Sequence, residues 1–367
     1  MNNNLSRSQV LMIGCAFVLD STLISKPSLV IRDLESDFWA GFLPAFGYGL
    51  AAVALFAMLA SRFPRKDLFD GLIAASPFWG RLVVAICVLF FFGVLVRDTR
   101  ATTDFVKVSL LTVTPITVIA VCLAFCLVAA ARHGKLSVAR MSQLWQPMLI
   151  LLVLLLPVFL SSTLALGNLL PVFQHTPLQV FEGGSHLYSY MGEAVGTFMI
   201  AKYRTWTTKF SLFSLALGWF LLLVLTFSVV MTLGVEIPMR TFYPNYEMIR
   251  KVRLTDFLDR LDLPMIGIWL PAMVVKASFG LYIVANGIAR IVPKWKLGLV
   301  ATAAMAAALA IALYGFRNAL QIFDFDRYWT PVSASFHLGL PALLLMLFRK
   351  RKKPPTKSAA EAEQEAM

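Results

Sequence analysis

Charged and hydroxyl side chains interrupt the first apolar run of the chain. Near its middle this run contains Asp20, Ser21 and Thr22, followed by Lys26. A carboxylate in the interior of a bilayer costs at least about 2.5 kcal/mol, so Asp20 needs a partner or a cavity. We predict that this helix unwinds locally and that Asp20, Ser21 and Thr22 bind a ligand. A buried ion pair, or a position nearer the membrane surface, would also explain Asp20.

A second interrupted run lies near the middle of the chain. It opens with Gly183, Gly184, Ser185 and His186, and Glu193 follows further on. Adjacent glycines leave the backbone without side chains to cover it. We predict that this helix also unwinds, so that the peptide groups of Gly183 and Gly184 and the side chains of Ser185, His186 and Glu193 reach a ligand. The two glycines would equally suit a loop that precedes the helix.

Lys276 is the most isolated charge in any apolar run of the sequence. A buried ammonium needs a carboxylate or several carbonyl groups. We predict that Lys276 belongs to the ligand site, either in the place of a coupling cation or as a partner of Asp20 or Glu193. A lysine that extends along its helix to the membrane surface is the alternative.

A charged cluster lies near the end of the third apolar run. Arg97, Asp98 and Arg100 lie close together near its end. Clustered charges at the end of a span are typical of the membrane surface, and we predict an interfacial cluster here.

The remaining reactive side chains are dispersed. The histidines are His133, His175, His186 and His337, and the cysteines are Cys15, Cys87, Cys122 and Cys126. The cysteines all lie in apolar runs, as small packing residues do. The sequence contains neither a phosphate-binding loop nor a zinc-protease motif nor a nucleophile elbow. We therefore predict a protein that is not an enzyme and has no metal site and no cofactor.

The composition is that of a membrane protein. Of 367 residues, 59% are hydrophobic and 14% are charged, with a net charge of +13. A soluble domain needs a more charged surface. The basic excess lies mostly in short segments between apolar runs, where it orients helices in a bilayer, so it does not indicate a nucleic-acid partner.

Ten apolar runs are long enough to cross about 30 Å of hydrocarbon. They lie near residues 9–31, 39–61, 81–103, 115–131, 136–162, 182–201, 210–235, 264–289, 297–315 and 331–348. An even number of spans places both termini on the same side. Basic residues concentrate in the segments that share a side with the N-terminus, so we predict that both ends are cytoplasmic.

Two segments are not predicted to cross the membrane. The outer segment 236–262 mixes apolar and charged residues and predicts short helices on the outer face of a domain that covers residues 1–348. The tail 349–367 is basic, then proline-containing, then rich in Ala and Glu, which predicts a disordered cytoplasmic end that contacts lipid headgroups.

The two interrupted helices are the first and the sixth of the ten. This spacing predicts an inverted repeat of five plus five helices, in which the broken first helix of each half builds a site at the midplane. In such a site the ends of half-helices face a carboxylate, and free carbonyls accept hydrogen bonds from an ammonium.

Several short motifs occur in an order that resembles one family. They are Ser61-Arg62-Phe63-Pro64-Arg65-Lys66-Asp67-Leu68, Leu110-Leu111-Thr112-Val113-Thr114-Pro115, Asn168-Leu169-Leu170-Pro171-Val172, Phe242-Tyr243-Pro244, and Phe257-Leu258-Asp259-Arg260-Leu261-Asp262 with Trp269. In this order they resemble the endospore germination permeases, the B subunits of Ger-type germinant receptors in the amino acid–polyamine–organocation superfamily. The resemblance runs from Gln9 to Phe348. The family often has a glycine-rich break in the first helix, where this chain has Asp20-Ser21-Thr22 and Lys26.

The resemblance implies an all-α membrane protein with ten transmembrane helices and a LeuT-like inverted repeat. It also implies a multi-pass protein of the spore inner membrane that acts with an A-type and a C-type subunit. The expected function is to bind a small germinant, such as an amino acid, between helices 1, 3, 6 and 8 and to signal its presence to those partners. A free-standing proton-coupled amino-acid permease is the alternative, because the same fold serves both functions.

Overall fold

The computed structural model describes residues 4–251, 262–318 and 320–347. Across these residues every regular element is helical. The α-helices are α1 (Arg7–Leu19), α2 (Thr22–Leu34), α3 (Phe38–Ala60), α4 (Leu68–Ala75), α5 (Pro77–Ser109), α6 (Ile116–Arg132), α7 (Lys135–Phe159), α8 (Pro177–Gly192), α9 (Gly196–Ile200), α10 (Thr205–Leu233), α11 (Glu236–Arg240), α12 (Pro244–Arg250), α13 (Asp262–Ile291), α14 (Leu297–Tyr314), α15 (Leu320–Ala334) and α16 (Leu340–Leu347). Short 3₁₀ turns cover Glu35–Asp37, Leu166–Leu169 and Glu193–Val195, and a π-helical segment covers Ser335–Gly339.

Seven stretches of the described chain are long and apolar enough to cross a membrane. They are Lys26–Ala60, Pro77–Ser109, Lys135–Phe159, Thr205–Leu233, Asp262–Ile291, Leu297–Tyr314 and Arg327–Leu347. Two shorter apolar helices, α1 and α6, and the interrupted pair α8–α9 complete the set. Each of the ten predicted spans therefore corresponds to a helix or to two consecutive helices, and the first and sixth are the pairs α1–α2 and α8–α9.

The packing of the spans follows the predicted repeat. The most extensive contacts join α3 to α8 and α1 to α10. These contacts join the second span to the sixth and the first span to the seventh. Exchanging the two halves of the repeat turns one of these contacts into the other, as an inverted repeat requires. The eighth span, α13, packs on the third, α5, and on the fifth, α7. The predicted all-α, LeuT-like inverted repeat is confirmed.

Local sequence signals explain several helix ends. Ser6 caps α1 in a reciprocal capping box with Gln9, and Thr176 does the same for α8 with Gln179. Pro177 then occupies the first turn of α8, where its missing N–H is harmless. The sixth span therefore begins at Pro177 and not near residue 182 as predicted.

Two predicted segments lie partly or wholly outside this description. The outer segment 236–262 contains the short helices α11 and α12, and its residues 252–261 lie outside the described residues. The tail 349–367 also lies outside them.

Candidate functional site

The break in the first span is short. Asp20 and Ser21 separate α1 from α2 but keep helical backbone angles, with φ and ψ of −66° and −37° at Asp20 and of −80° and −32° at Ser21. The carbonyl of Leu19 accepts a 2.9 Å hydrogen bond from Thr22 Oγ1, and the carbonyl of Asp20 accepts a 2.9 Å bond from Trp269 Nε1. Side chains of the protein thus donate hydrogen bonds to the carbonyl groups that the break would expose to a ligand.

Four buried charged side chains meet beside this break. Lys276 Nζ donates to Glu193 Oε2 at 2.9 Å, to Ser21 Oγ at 2.6 Å and to Asp98 Oδ2. Arg97 Nε and Nη2 donate to Asp98 Oδ1 at 3.1 and 2.8 Å, and Arg97 Nη2 also lies 2.6 Å from Glu193 Oε1. We call Arg97, Asp98, Glu193 and Lys276 the ion cluster. It joins the third, sixth and eighth spans, and Ser21 adds the first.

Mutual compensation makes the ion cluster stable in the core. Each of its side chains is at most 2% exposed. Buried charges are tolerated when they are paired and hydrogen-bonded, and removal of one partner is far more costly than the pair itself. The ion cluster holds two positive and two negative groups, so their formal charges cancel.

The prediction of an interfacial cluster at Arg97 and Asp98 is wrong. Helix α5 extends to Ser109, which places Arg97 about 18 Å from its C-terminal end at 1.5 Å per residue. Arg100 is also buried, where it binds Asp104 Oδ2 at 2.8 Å and the carbonyls of Ala312 and Phe316. The sequence of α5 alone does not reveal this burial, because Glu193 and Lys276, which complete the pairing of Arg97 and Asp98, lie on other helices.

Asp20 lies outside the ion cluster. Its Oδ1 accepts a 3.0 Å hydrogen bond from Gln146 Nε2 of the fifth span, and its Oδ2 has no hydrogen-bond partner among the described residues. The side chain is fully buried. Of the two carboxylates expected to hold Lys276, Glu193 does so in the structure, and Asp20 faces the fifth span instead.

The predicted unwinding at Gly183 and Gly184 is wrong. Helix α8 continues through both residues, and the sixth span breaks later, at the 3₁₀ turn Glu193–Val195. A Cβ atom on Gly184 would lie 2.4 Å from the carbonyl oxygen of Gly41, and one on Gly183 would lie 2.6 Å from Leu34. The glycines therefore let α8 approach the first and second spans closely.

The next two predicted residues lie in the same helix. His186 Nε2 lies 2.8 Å from Asp33 Oδ2, near the C-terminal end of α2. Ser185 is half-buried. Whether Gly183, Gly184, Ser185 or His186 contacts a ligand stays a prediction.

A narrow cavity adjoins the ion cluster. Its lining comes from the first, third, sixth and eighth spans, the segment 236–262 and helix α15. The lining residues are Ser21, Lys26, Arg97, Asp98, Ala101, Thr102, Tyr190, Tyr243, Trp269, Met273 and Ile322. Its free volume is about 20 Å³, enough for roughly one water molecule, so this conformation is almost closed. We call this space the central cavity.

The aromatic and basic residues of the central cavity were not predicted as site residues. The guanidinium of Arg97 lies 4.1 Å from the ring centroid of Tyr190, and Lys26 Nζ lies 5.0 Å from the same centroid. Ser21 is a predicted residue that lines the cavity. Glu193 and Lys276 do not line it, but they contact the lining residues Arg97 and Asp98. The one available signal for Arg97 was its position within a long apolar helix.

Comparisons with known proteins agree with this architecture. The profile of a family described as spore germination proteins matches residues 4–319. YfkT of Bacillus subtilis (strain 168), named as a spore germination protein, is 28% identical over 346 residues, which cover 94% of this chain and 96% of YfkT.

Two solved structures are similar in fold. One is Mhp1, a nucleobase-cation-symport-1 family transporter in a closed conformation with bromovinylhydantoin bound, with a TM-score of 0.64 and 13% identity over 92% of this chain and 76% of that one. The other is MhsT in complex with L-phenylalanine, with a TM-score of 0.64 and 15% identity over 94% of this chain and 88% of that one. At these identities the likeness establishes the fold alone.

Proposed function

The chain belongs to the spore germination protein family, a permease family of multi-pass membrane proteins, and from this premise we propose that it is the B-type subunit of a germinant receptor. It binds a small germinant, an amino acid or a related solute, in the central cavity and signals occupancy to A-type and C-type partner subunits. The spore inner membrane is its location, with both termini in the cytoplasm.

The position of the central cavity supports this proposal. The cavity lies where the breaks of the first and sixth spans meet the ion cluster, between Ser21, Asp98 and Tyr190. A ligand there contacts four spans at once. Because the cavity is almost closed, binding requires a more open state, and a ligand that favours one of two states shifts the balance between them. That shift is the proposed signal.

Ligand-dependent stabilisation tests the binding step. A ligand raises apparent stability by about 2.7 kcal/mol at a hundredfold excess over its Kd. We expect at least one member of a panel of amino acids and nucleosides to raise the Tm of the purified protein. Ala101→Leu, which fills the cavity, should abolish the response, whereas Ala85→Leu, on the same helix outside the cavity lining, should keep it. An equal response in both variants would place the ligand elsewhere.

A free-standing proton-coupled amino-acid permease is the second candidate, favoured by the fold similarity to two transporters. Proteoliposomes that contain only this chain separate the two functions. A receptor subunit should bind its ligand without accumulating it when a pH gradient is applied. Accumulation driven by the gradient would support the permease. Co-purification with A-type and C-type subunits from the same membranes would support the receptor.

The proposed orientation is tested by cysteine labelling in a background without the four native cysteines. Lys294 and Gly167 are exposed in opposite loops of the described chain. We expect a membrane-impermeant thiol reagent to label Gly167→Cys in intact cells and Lys294→Cys only after permeabilisation. The reverse pattern would invert the topology. The assignment of residues 1–348 to the membrane domain and of 349–367 to a cytoplasmic tail depends on this orientation.

A further inference from the structure

The described part of the chain leaves one nitrogen of the Arg97 guanidinium without an acceptor. Nε and Nη2 are held by Asp98, and Nη2 also lies against Glu193, but Nη1 has no hydrogen-bond partner among the described residues. The side chain is only 2% exposed, and it lines the central cavity. A buried donor without an acceptor is costly and uncommon in native proteins. The two N–H groups of Nη1 are therefore available to a molecule in the cavity.

The acidic groups at this site are already engaged. Asp98 lines the cavity, but its Oδ1 accepts from Arg97 and Ser21 and its Oδ2 accepts from Lys276. Glu193 is not among the residues that line the cavity. Its Oε2 accepts from Lys276, and its Oε1 lies 2.6 Å from Arg97 Nη2, close enough for an ion pair although not aligned as a hydrogen bond. The ion cluster thus offers a ligand a free cationic donor, and it keeps its carboxylates for its own cations.

The surroundings of Arg97 fit a small organic anion. The flat guanidinium lies over the ring of Tyr190 at 4.1 Å, which fixes its plane, and the ammonium of Lys26 lies over the same ring. A guanidinium edge matches the two oxygens of a carboxylate.

We propose that the central cavity recognises its ligand through a carboxylate group bound to Nη1 of Arg97, and that the ligand's amine contributes little to binding. This inference rests on the proposed function, because it names the chemical class that the sensing cavity accepts. Amino acids enter the class through their carboxylate. Small carboxylic acids without an amine also belong to it, and amines without a carboxylate do not.

Matched probes test the inference on the full-length purified protein. L-Alanine is compared with propanoate, which lacks the amine, and with ethylamine, which lacks the carboxylate; L-valine is compared in the same way with 3-methylbutanoate and isobutylamine. We expect the amino acids and the carboxylates to raise the Tm in a saturable manner and the amines to have no effect. Stabilisation by amines and not by carboxylates would overturn the inference, as would the absence of any effect from every carboxylate.

The same probes separate the inference from the proposed function. If the carboxylates bind and no amino acid does, the Arg97 site stands and amino-acid sensing fails. If amino acids and amines bind but the carboxylates do not, sensing stands and the Arg97 site fails.

A conservative variant removes Nη1 and keeps the positive charge. Arg97→Lys leaves an ammonium beside Asp98 and Glu193 but lacks the two N–H groups of Nη1. Loss of a charge-assisted hydrogen bond should weaken propanoate binding by about tenfold or more. Arg100→Lys is the matched control, because Arg100 is buried in the same helix and binds Asp104 away from the cavity. Unchanged binding in Arg97→Lys would overturn the inference. If that variant does not fold, the selectivity of the wild-type protein among the probes decides.

Discussion

Removal of Lys276 should destabilise the protein through the charges that it leaves behind. In Lys276→Met, Asp98 and Glu193 must share the single guanidinium of Arg97. One negative charge is then uncompensated at a place where every side chain is at most 2% exposed. Breaking a buried pair in this way costs about 3–5 kcal/mol. At roughly 2 °C per kcal/mol for a chain of this size, the Tm should fall by roughly 6–10 °C.

A double mutant distinguishes lost charge balance from lost packing. Glu193→Gln alone should cost a similar amount, because it leaves one positive charge in excess. In the Lys276→Met/Glu193→Gln protein the remaining pair, Arg97 and Asp98, is balanced, so we expect a smaller Tm decrease than in either single mutant. Asp20 makes no ion pair with any residue that the structure describes, so Lys276→Met/Asp20→Asn should show no such recovery.

The assay is thermal unfolding of the purified variants at one detergent concentration. Lys209→Met, at an exposed position on α10, is the control for the substitution itself. Neighbouring residues deviate from additivity when they interact, and distant ones add. Additive losses in the Lys276→Met/Glu193→Gln protein would refute the ion cluster as described. Recovery with Asp20→Asn in place of Glu193→Gln would make Asp20 the true partner of Lys276.

Two further predictions concern the packing of α8 on α3 and the ion pair of Asp67 with Arg290. Gly184→Ala places a Cβ atom 2.4 Å from a backbone oxygen of α3 and should lower the Tm. Gly47→Ala is the control, because a Cβ atom there has nothing within 4 Å, and it should leave the Tm unchanged. Equal Tm values in the two variants would refute the close approach of the helices. Burial raises the pKa of Asp67, and the Arg290 guanidinium offsets part of this increase. The ionised carboxylate therefore lowers the stability of the fold at pH values above its folded pKa, and this loss disappears on acidification. Arg290→Met should therefore lower the Tm more at about pH 7.5 than at about pH 5, and a decrease independent of pH would contradict the role of Asp67.

Hydrophobic length was sufficient to predict the spans. The predicted fourth span, 115–131, corresponds to Ile116–Arg132, and the eighth, 264–289, to Asp262–Ile291. A run of about 20 apolar residues has few alternatives to a membrane helix. The third span was predicted too short, as 81–103 where α5 covers Pro77–Ser109, because its last third is rich in charge.

The site was predicted less well because the rotation of each helix is not written in its own sequence. Asp20 and Asp98 are both carboxylates in apolar helices, yet Asp98 meets Lys276 and Asp20 meets Gln146. Which carboxylate faces which helix depends on how all the spans pack. Gly183 and Gly184 illustrate the same difficulty, since glycines that allow unwinding also allow close packing. The structure shows close packing.

The contacts beyond the ion cluster suggest how the proposed signal reaches the loop before α4. Glu193 begins the 3₁₀ turn that leads into α9, and α9 packs on α4. The chain after α9 is bound to the loop before α4, because Tyr203 N–H donates to the Lys66 carbonyl at 2.8 Å and the Tyr203 carbonyl accepts from Arg65 N–H at 3.0 Å.

Lys135 Nζ also binds the carbonyl of Ile200, the last residue of α9. Energetic coupling requires contiguous elements that can adopt two arrangements. Under the proposed function, a ligand that shifts Arg97 also shifts Glu193, and α9 then moves against the basic loop that carries Arg65 and Lys66. That loop belongs to the motif through which the sequence resembles germination permeases, so the motif lies at the far end of the contact route that begins in the central cavity.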